Sequence, residues 1–271
     1  MEEQKSFLAS VPILAYHQVV SDDSLTEHSA YVMPLSRFER QMQFLYDFGY
    51  RCITLDEFLR SWKSGLHHRE KVFILTFDDG YENFSTTAFP ILSHYGFTAT
   101  VFLVANCIGK VNHWDENANA PLLTWDQIKE LREAGISFGS HTSSHPHLPS
   151  LSNEQASREL VGSKELLESF LGQEVSFLAY PYGESTSEVQ HIAAQTGYVA
   201  ACGVITGNSG LHNLWRRPCE SKDGLLLFRF KLTPWYYHFL RLLRWVREDI
   251  GIGRHLRSVK YQWLTRNKKS L

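Results

Sequence analysis

Short apolar runs alternate along this chain with polar turns and with apolar positions at helical spacing. Residues 13–16, 72–77, 98–104, 136–140, 177–180 and 198–202 read as strands. Residues 72–77 form an unbroken β-favouring run, the pattern of a strand buried on both faces. Between these runs, Phe38, Met42, Leu45 and Phe48 recur at helical spacing and Gly49 ends the pattern. Ser36 with Glu39, Thr54 with Glu57, Thr124 with Gln127 and Ser152 with Gln155 have the spacing of capping boxes, in which a hydroxyl and a carboxylate or amide satisfy each other's orphan amides. Each pair predicts a helix start, and the last of these helices should reach about Leu171. Further helices are predicted around Phe84, Ala88 and Ile91 and over residues 188–195. Strands alternating with helices predict parallel pairing through crossovers. The expected architecture is an α/β fold, a distorted (β/α) barrel of about seven parallel strands. Residues 1–224 would be one catalytic domain and 225–271 a basic, aromatic C-terminal extension.

Size and composition fit that expectation. The chain has 271 residues, 43% of them hydrophobic and 21% charged, which suits one globular core and not a disordered chain. A formal net charge of -2 hides an asymmetry. Residues 225–271 hold 11 Lys and Arg against 2 Asp and Glu, a net of +9, and residues 1–224 hold 16 against 27, a net of -11. Cys52, Cys107, Cys202 and Cys219 contain no CxxC pair, which argues against a disulfide framework or a thiolate zinc site. The first residues carry two glutamates and no apolar signal core, and no uncharged run approaches the ~20 residues of a membrane span. The expectation is a cytoplasmic chain.

The chemistry gathers at strand ends. His17, the Asp78-Asp79 pair, His141 and the Pro181-Tyr182 pair each follow a predicted strand. In a parallel barrel those ends share one rim, where active sites form. Adjacent carboxylates repel, and a cation relieves the repulsion. In an extended segment they point apart, so one can bind metal while the other faces substrate. Asp-Asp-Gly is equally a turn sequence. His141 and His145, four residues apart, can converge on one ion if the segment turns helically, and His147 offers a rival partner. One Asp and two His leave positions open for water and substrate, as catalytic zinc sites do, and cobalt, nickel or iron suit the same donors.

Thr76-Phe77-Asp78-Asp79-Gly80, His141-Thr142-Ser143-Ser144-His145 and Tyr180-Pro181-Tyr182-Gly183 resemble, in order and interval, the three signatures of the polysaccharide deacetylases, the NodB-like carbohydrate esterase 4 group. The likeness spans roughly residues 11–220. It implies a divalent metal, zinc first, on Asp79, His141 and His145. It implies Asp78 as the general base for the attacking water and the Tyr182 main-chain amide as an oxyanion donor. The substrate would be an N-acetylated sugar, whether polysaccharide, oligosaccharide or lipid-linked glycan, with Pro181, Tyr182 and Trp215 as substrate contacts. The family's third signature usually carries an arginine where Ala179 stands here, and no C-terminal Leu-x-His motif is found. The stretch Pro12-Ile13-Leu14-Ala15-Tyr16-His17, with residues 38–42 and 44–50, resembles the poly-N-acetylglucosamine deacetylases, whose signatures are permuted. That likeness implies His17 as the general acid.

Several readings stay open. Trp215-Arg216-Arg217 offers a cation to orient Asp78, or cations beside a surface strand. Trp114, Trp125 and Tyr81 offer sugar-stacking walls, or packing. Residues 234–247 combine bulky apolar side chains with Arg241, Arg244 and Arg247, as in a helix lying on an anionic membrane or one packed on the barrel. Nucleic acid is not expected, because the body is acidic and no binding motif occurs. The alternatives to a sugar deacetylase are a metal-dependent hydrolase of a non-sugar amide and a non-catalytic sugar-binding relative.

Overall fold

The computed structural model describes residues 11–24, 31–65, 70–114, 119–204 and 210–240. Its centre is a parallel sheet. The strands are β1 (Ile13–Tyr16), β4 (Arg51–Cys52), β5 (Val72–Phe77), β6 (Thr100–Leu103), β7 (Ser137–Ser140), β8 (Phe177–Ala179), β9 (Ala200–Gly203), β10 (Leu214–Trp215) and β11 (Arg217–Pro218). They pair in the order β10-β9-β8-β7-β6-β5-β1-β11, with β4 against the start of β5. The two ends of that path, β10 and β11, are separated in the chain by Arg216 alone. Leu214 and Trp215 pair with β9, and Arg217 and Pro218 with β1. One interrupted strand therefore closes the sheet into a barrel, as predicted. A separate parallel pair, β2 (Gln18–Val20) with β3 (Val32–Pro34), sits beside it.

Alternation along the strands sorts side chains into two cores. Ile13, Ile74, Phe102, Phe177, Ala179, Ala200, Cys202 and Leu214 pack together, joined by Leu55, Phe58 and Leu59 of α2 (Leu55–Ser64). Leu14, Phe73, Leu75, Val101 and Leu178 pack instead with helical residues Met42, Leu45, Leu160 and Leu167. The first set is the barrel interior, stopped at its lower mouth by α2, and the second is the layer between barrel and helices. On β5 the period of two then places Thr76 and Asp78 on the same inward side as Ile74. On β7 it places His141 in line with Gly139. A Cβ at Gly139 would lie 2.6 Å from the Phe102 ring, so only glycine lets that ring fill the barrel beneath the site.

Local signals mostly hold. Thr124 and Ser152 form complete capping boxes with Gln127 and Gln155, starting α4 (Trp125–Glu133) and α5 (Asn153–Leu171). Ser36 does not cap. Helix α1 (Leu35–Asp47) already starts at Leu35 with Pro34 at its N-cap, and the Ser36 amide is taken by Asp22 Oδ1 at 3.0 Å. The segment around Phe84 runs as a wide π-helical turn (Phe84–Ala88) into α3 (Phe89–His94). Helix α6 (Ser187–Gln195) follows the third motif.

After β11, α7 (Leu225–Lys231) packs Phe228 into the helix-layer core. Lys231 pairs with buried Asp223 at 2.5 Å, and Arg217 donates to the Lys231 carbonyl. Residues 234–240 are helical. Arg241, Arg244 and Arg247 lie outside the described residues. Among the described residues no helix is long and apolar enough to cross a membrane. All four cysteines are free thiols, three of them buried.

Candidate active site

The strand ends meet as the alternation requires. A cavity of about 320 Å³ opens at the carboxyl end of the barrel, with His17, Asp78, Asp79, His141, His145 and Tyr182 in its wall. At its centre are three ligand-type groups. His141 Nε2 and His145 Nε2 stand 3.4 Å and 3.2 Å from Asp79 Oδ1, and one donor atom from each residue lies within 4.8 Å of the others. All three side chains are buried. Asp79 Oδ1 is enclosed yet receives no hydrogen bond, a costly arrangement for a carboxylate unless a cation faces it. His141 Nδ1 meets the Ala179 carbonyl at 2.8 Å, so Nδ1 carries the proton and Nε2 keeps its lone pair toward Asp79. Burial lowers the His141 pKa to about 4, against opposing pulls from Asp78 and Asp79, which keeps the ring neutral. A carboxylate and two imidazoles are a donor set that fits zinc and its neighbours in the transition series.

Backbone geometry supports this convergence at some cost. Asp79, Thr142, His145 and Tyr182 have φ of 70°, 70°, 61° and 59°. Non-glycine residues in this region store roughly 1–3 kcal/mol each and persist where surroundings hold them. The two histidines therefore do not converge by a helical turn, as their spacing suggested. They converge through a loop with two left-handed residues.

That loop is pinned by Glu159 on α5. Its Oε2 accepts from the Ser143 and Ser144 amides at 3.0 Å and 2.9 Å, and its Oε1 from Ser144 Oγ at 2.7 Å. The loop also caps itself, with the His145 amide donating to Thr142 Oγ1 at 3.0 Å. Nothing in the sequence singled out Glu159, one of several acidic residues on a helix. Glu159→Gln should weaken zinc binding about 10–100-fold, as loss of support behind metal ligands does. Calorimetric zinc titration of the metal-stripped protein checks this, and the melting temperature should fall as well, because Gln keeps one uncharged acceptor oxygen in place of two charged ones.

Asp78 faces a different partner. Arg216, at the break between β10 and β11, is fully buried and bidentate. Its Nη1 donates to Asp78 Oδ1 at 2.6 Å and its Nη2 to Oδ2 at 2.7 Å. Nη1 also donates to Thr76 Oγ1 at 3.2 Å, and the guanidinium lies 5.5 Å from the Phe102 ring centroid. Burial pushes Asp78 toward its neutral form, but the Arg216 charge, helped by His141 and by the paired hydrogen bonds, outweighs it and holds the carboxyl well below the usual range. The arginine absent at Ala179 is thus supplied from a distant strand. Of the two readings of Trp215-Arg216-Arg217, the orienting cation describes Arg216. Arg217 faces away, bonded to carbonyls of the C-terminal segment.

His17 lines the cavity next to Asp78, Nε2 at 3.9 Å from Asp78 Oδ2, its ring 4.7 Å from that of Tyr31. The Tyr182 ring meets the edge of His145 at 4.7 Å and stacks on His147 at 3.7 Å. His147 is at the exposed rim beside Glu184 and is not part of the ligand cluster. Trp114 lies flat on His145 at 4.5 Å and lines the cavity. The other aromatic candidates sit elsewhere. Trp125 stacks on Phe170, and Tyr81 is core. Pro181 is buried outside the cavity lining, and so is Trp215, which packs against Tyr236 and Tyr237. The sequence reading missed Tyr31, Val204 and Glu220 in the wall.

A parallel barrel carrying a buried Asp-His-His cluster and an arginine-tethered carboxylate at its carboxyl rim defines a hydrolase-type centre. Residues 66–201 match the family model described as polysaccharide deacetylase. The Bacillus subtilis protein YxkH is 33% identical over 212 residues, covering 77% of this chain and 71% of that one. This chain therefore belongs to the polysaccharide deacetylase family, hydrolases that act on the N-acetyl amide bonds of sugars. A poly-β-1,6-N-acetyl-D-glucosamine N-deacetylase of Staphylococcus epidermidis is 30% identical over 200 residues, with 67% of this chain and 66% of that one covered. A Streptococcus pyogenes deacetylase solved with acetate superimposes with a TM-score of 0.72 at 28% identity, over 83% of this chain and 98% of that one. His17 and Arg216 both lie outside the family match; pairing of β1 with β5 brings His17 beside Asp78, and the closure of the barrel brings in Arg216.

Proposed function

We propose that this chain removes N-acetyl groups from an N-acetylated sugar in a metal-dependent hydrolysis, giving acetate and a free sugar amine. One observation carries the reading: an enclosed, hydrogen-bond-free carboxylate oxygen faced by two imidazole nitrogens, beside a second carboxylate gripped by arginine. Asp79, His141 and His145 would hold the ion, zinc first by donor chemistry, with cobalt, nickel or iron also suited. When bound, such an ion supplies Lewis acidity toward the amide carbonyl and lowers the pKa of a nearby water.

The protein's own groups account for the proton movements. Asp78, fixed through both oxygens by Arg216, keeps a lone pair toward the cavity and accepts the proton of the attacking water. The Tyr182 main-chain amide is assigned to the carbonyl oxygen as it becomes anionic, where such a donor contributes about 3 kcal/mol. His17, beside Asp78, donates a proton to the nitrogen as the carbon–nitrogen bond breaks. The water oxygen ends on the acetyl carbon as the carbon–nitrogen bond breaks, and passage of the Asp78 proton to His17, 3.9 Å away, returns both groups to their starting states. Trp114 and Tyr182 frame the mouth, and a volume of about 320 Å³ lies at the small end of ligand cavities. The similarity to the Staphylococcus epidermidis deacetylase supports N-acetylglucosamine polymers as the first substrates to try.

Acetate release from N-acetylglucosamine oligomers and lipid-linked N-acetyl sugars, run beside cyclic ureides, tests the substrate class. Release from the sugars alone is the expected result, and turnover of ureides alone would refute it. His17→Ala should fold normally, because the ring is partly exposed and its ion contact is long, and should lower kcat on the order of 10²-fold or more. Undiminished kcat in that variant would remove His17 from the mechanism.

A further inference from the structure

We infer that the face formed by Leu226, Phe230, Trp235 and Phe239 is a docking surface for an anionic lipid bilayer. On α7 the buried side is Phe228 and Lys231. Leu226 and Phe230 stand one turn apart on the opposite side. The Phe230 ring then meets the next helical stretch, 5.5 Å from both Tyr236 and Phe239. Trp235 and Phe239 are again one turn apart. The result is a strip of apolar side chains on successive turns, with Leu226 81%, Trp235 73% and Phe239 44% exposed and Phe230 half-buried between them. Exposed clusters of this kind mark interaction sites.

The strip is anchored beneath. Arg217 donates to the carbonyls of Lys231 and Thr233, Lys231 is paired with Asp223, and Trp215 stacks on Tyr236 at 5.8 Å. At its edge, Arg229 lies 5.4 Å and 6.0 Å from the rings of Phe44 and Phe48, the latter exposed.

The occupant follows from charge. From the strip the chain continues into residues 241–271, which hold 9 Lys and Arg against 2 Asp and Glu, a net of +7. Leu, Phe and Trp side chains beside dense cationic charge are complementary to a bilayer surface. The apolar groups enter the acyl boundary while the cations hold acidic headgroups. A second copy meeting the same strip would bring two such cationic segments together. A nucleic acid would engage the charge and leave the apolar strip in water.

The test is co-sedimentation of the full chain with vesicles of phosphatidylglycerol and phosphatidylcholine, against vesicles of phosphatidylcholine alone. A Leu226→Ser/Trp235→Ser double variant runs in parallel, with melting curves to show that these exposed substitutions leave the fold intact. The expected result is binding to the anionic vesicles only, weakened roughly tenfold or more in the variant, the loss being that of two interfacial apolar side chains. Absence of binding to anionic vesicles overturns the inference. So does equal binding by wild type and variant, which would assign the contact to charge alone. A dimer seen by light scattering that disappears in the variant, without vesicle binding, would assign the strip to a second copy instead. None of these outcomes depends on the reaction the protein catalyses.

Discussion

An Asp78→Asn chain should keep its metal and lose its turnover. The amide side chain has nearly the shape of the carboxylate, and Asp78 is not one of the three groups clustered as ligands. Zinc affinity should therefore stay within a few-fold of wild type. What disappears is the charged carboxylate that the proposed mechanism uses as its base. An amide cannot take the proton of the attacking water, and loss of a positioned general base costs on the order of 10²–10⁴-fold. Stability should also fall. Arg216 keeps one acceptor in place of two charged ones, and a hydrogen bond to a charged group contributes about 1.5–3 kcal/mol. Acetate release, calorimetric zinc titration and thermal melting read these three effects separately. Wild-type turnover in this variant would remove Asp78 from the mechanism, and loss of zinc would make it a ligand.

Arg216→Ala should be the most destabilising single change in the site. It leaves a carboxylate buried with no counter-ion, and breaking a buried pair by removing one partner typically costs about 3–5 kcal/mol. Replacing both partners tests that reasoning. An Asp78→Leu/Arg216→Met chain has no stranded charge, fills the same space and should recover most of the lost melting temperature while remaining inactive. If the single variant melts like wild type, the pair does not carry the weight assigned to it. If the double variant is no more stable than the single one, packing and not charge is the cause. Arg216→Lys separates orientation from charge, because an ammonium group cannot grip both oxygens in the plane of the carboxylate. It should fold better than Arg216→Ala and still turn over slowly.

Much of this site can be read from the chain, for a physical reason. A parallel strand places its last residues on one rim, so Asp78, Asp79 and His141 announce themselves by following apolar runs. The capping pairs at Thr124 and Ser152 are local as well, and both form as their spacing predicts. What stayed hidden is what depends on closure. Arg216 lies 138 residues from Asp78, between two 2-residue strands too short to carry a periodic signal. Its relation to Asp78 exists only because that segment pairs with β1 on one side and β9 on the other. Glu159 was hidden differently. Helical acids are usually solvated, and only the left-handed path of residues 142–145 brings two backbone amides onto this one. The helical turn by which His141 and His145 could have converged is absent for the same reason, since Thr142 and His145 take left-handed backbone and Glu159 holds the loop between them. Ser36 shows a simpler override, its amide captured by Asp22 before a cap could form. Trp215 misled because its neighbour reaches the site. Adjacent residues on a strand face opposite sides, and Trp215 turns outward onto Tyr236.

The most direct measurement is zinc titration into metal-stripped protein with acetate release from an N-acetylglucosamine oligomer as the readout. The arrangement of Asp79, His141 and His145 predicts release that climbs from near zero to a plateau at about one zinc per chain, and a flat line for Asp79→Ala over the same range. Full release by the stripped protein in the presence of a chelator, or an Asp79→Ala chain that reaches the wild-type plateau at the same zinc ratio, would contradict the account.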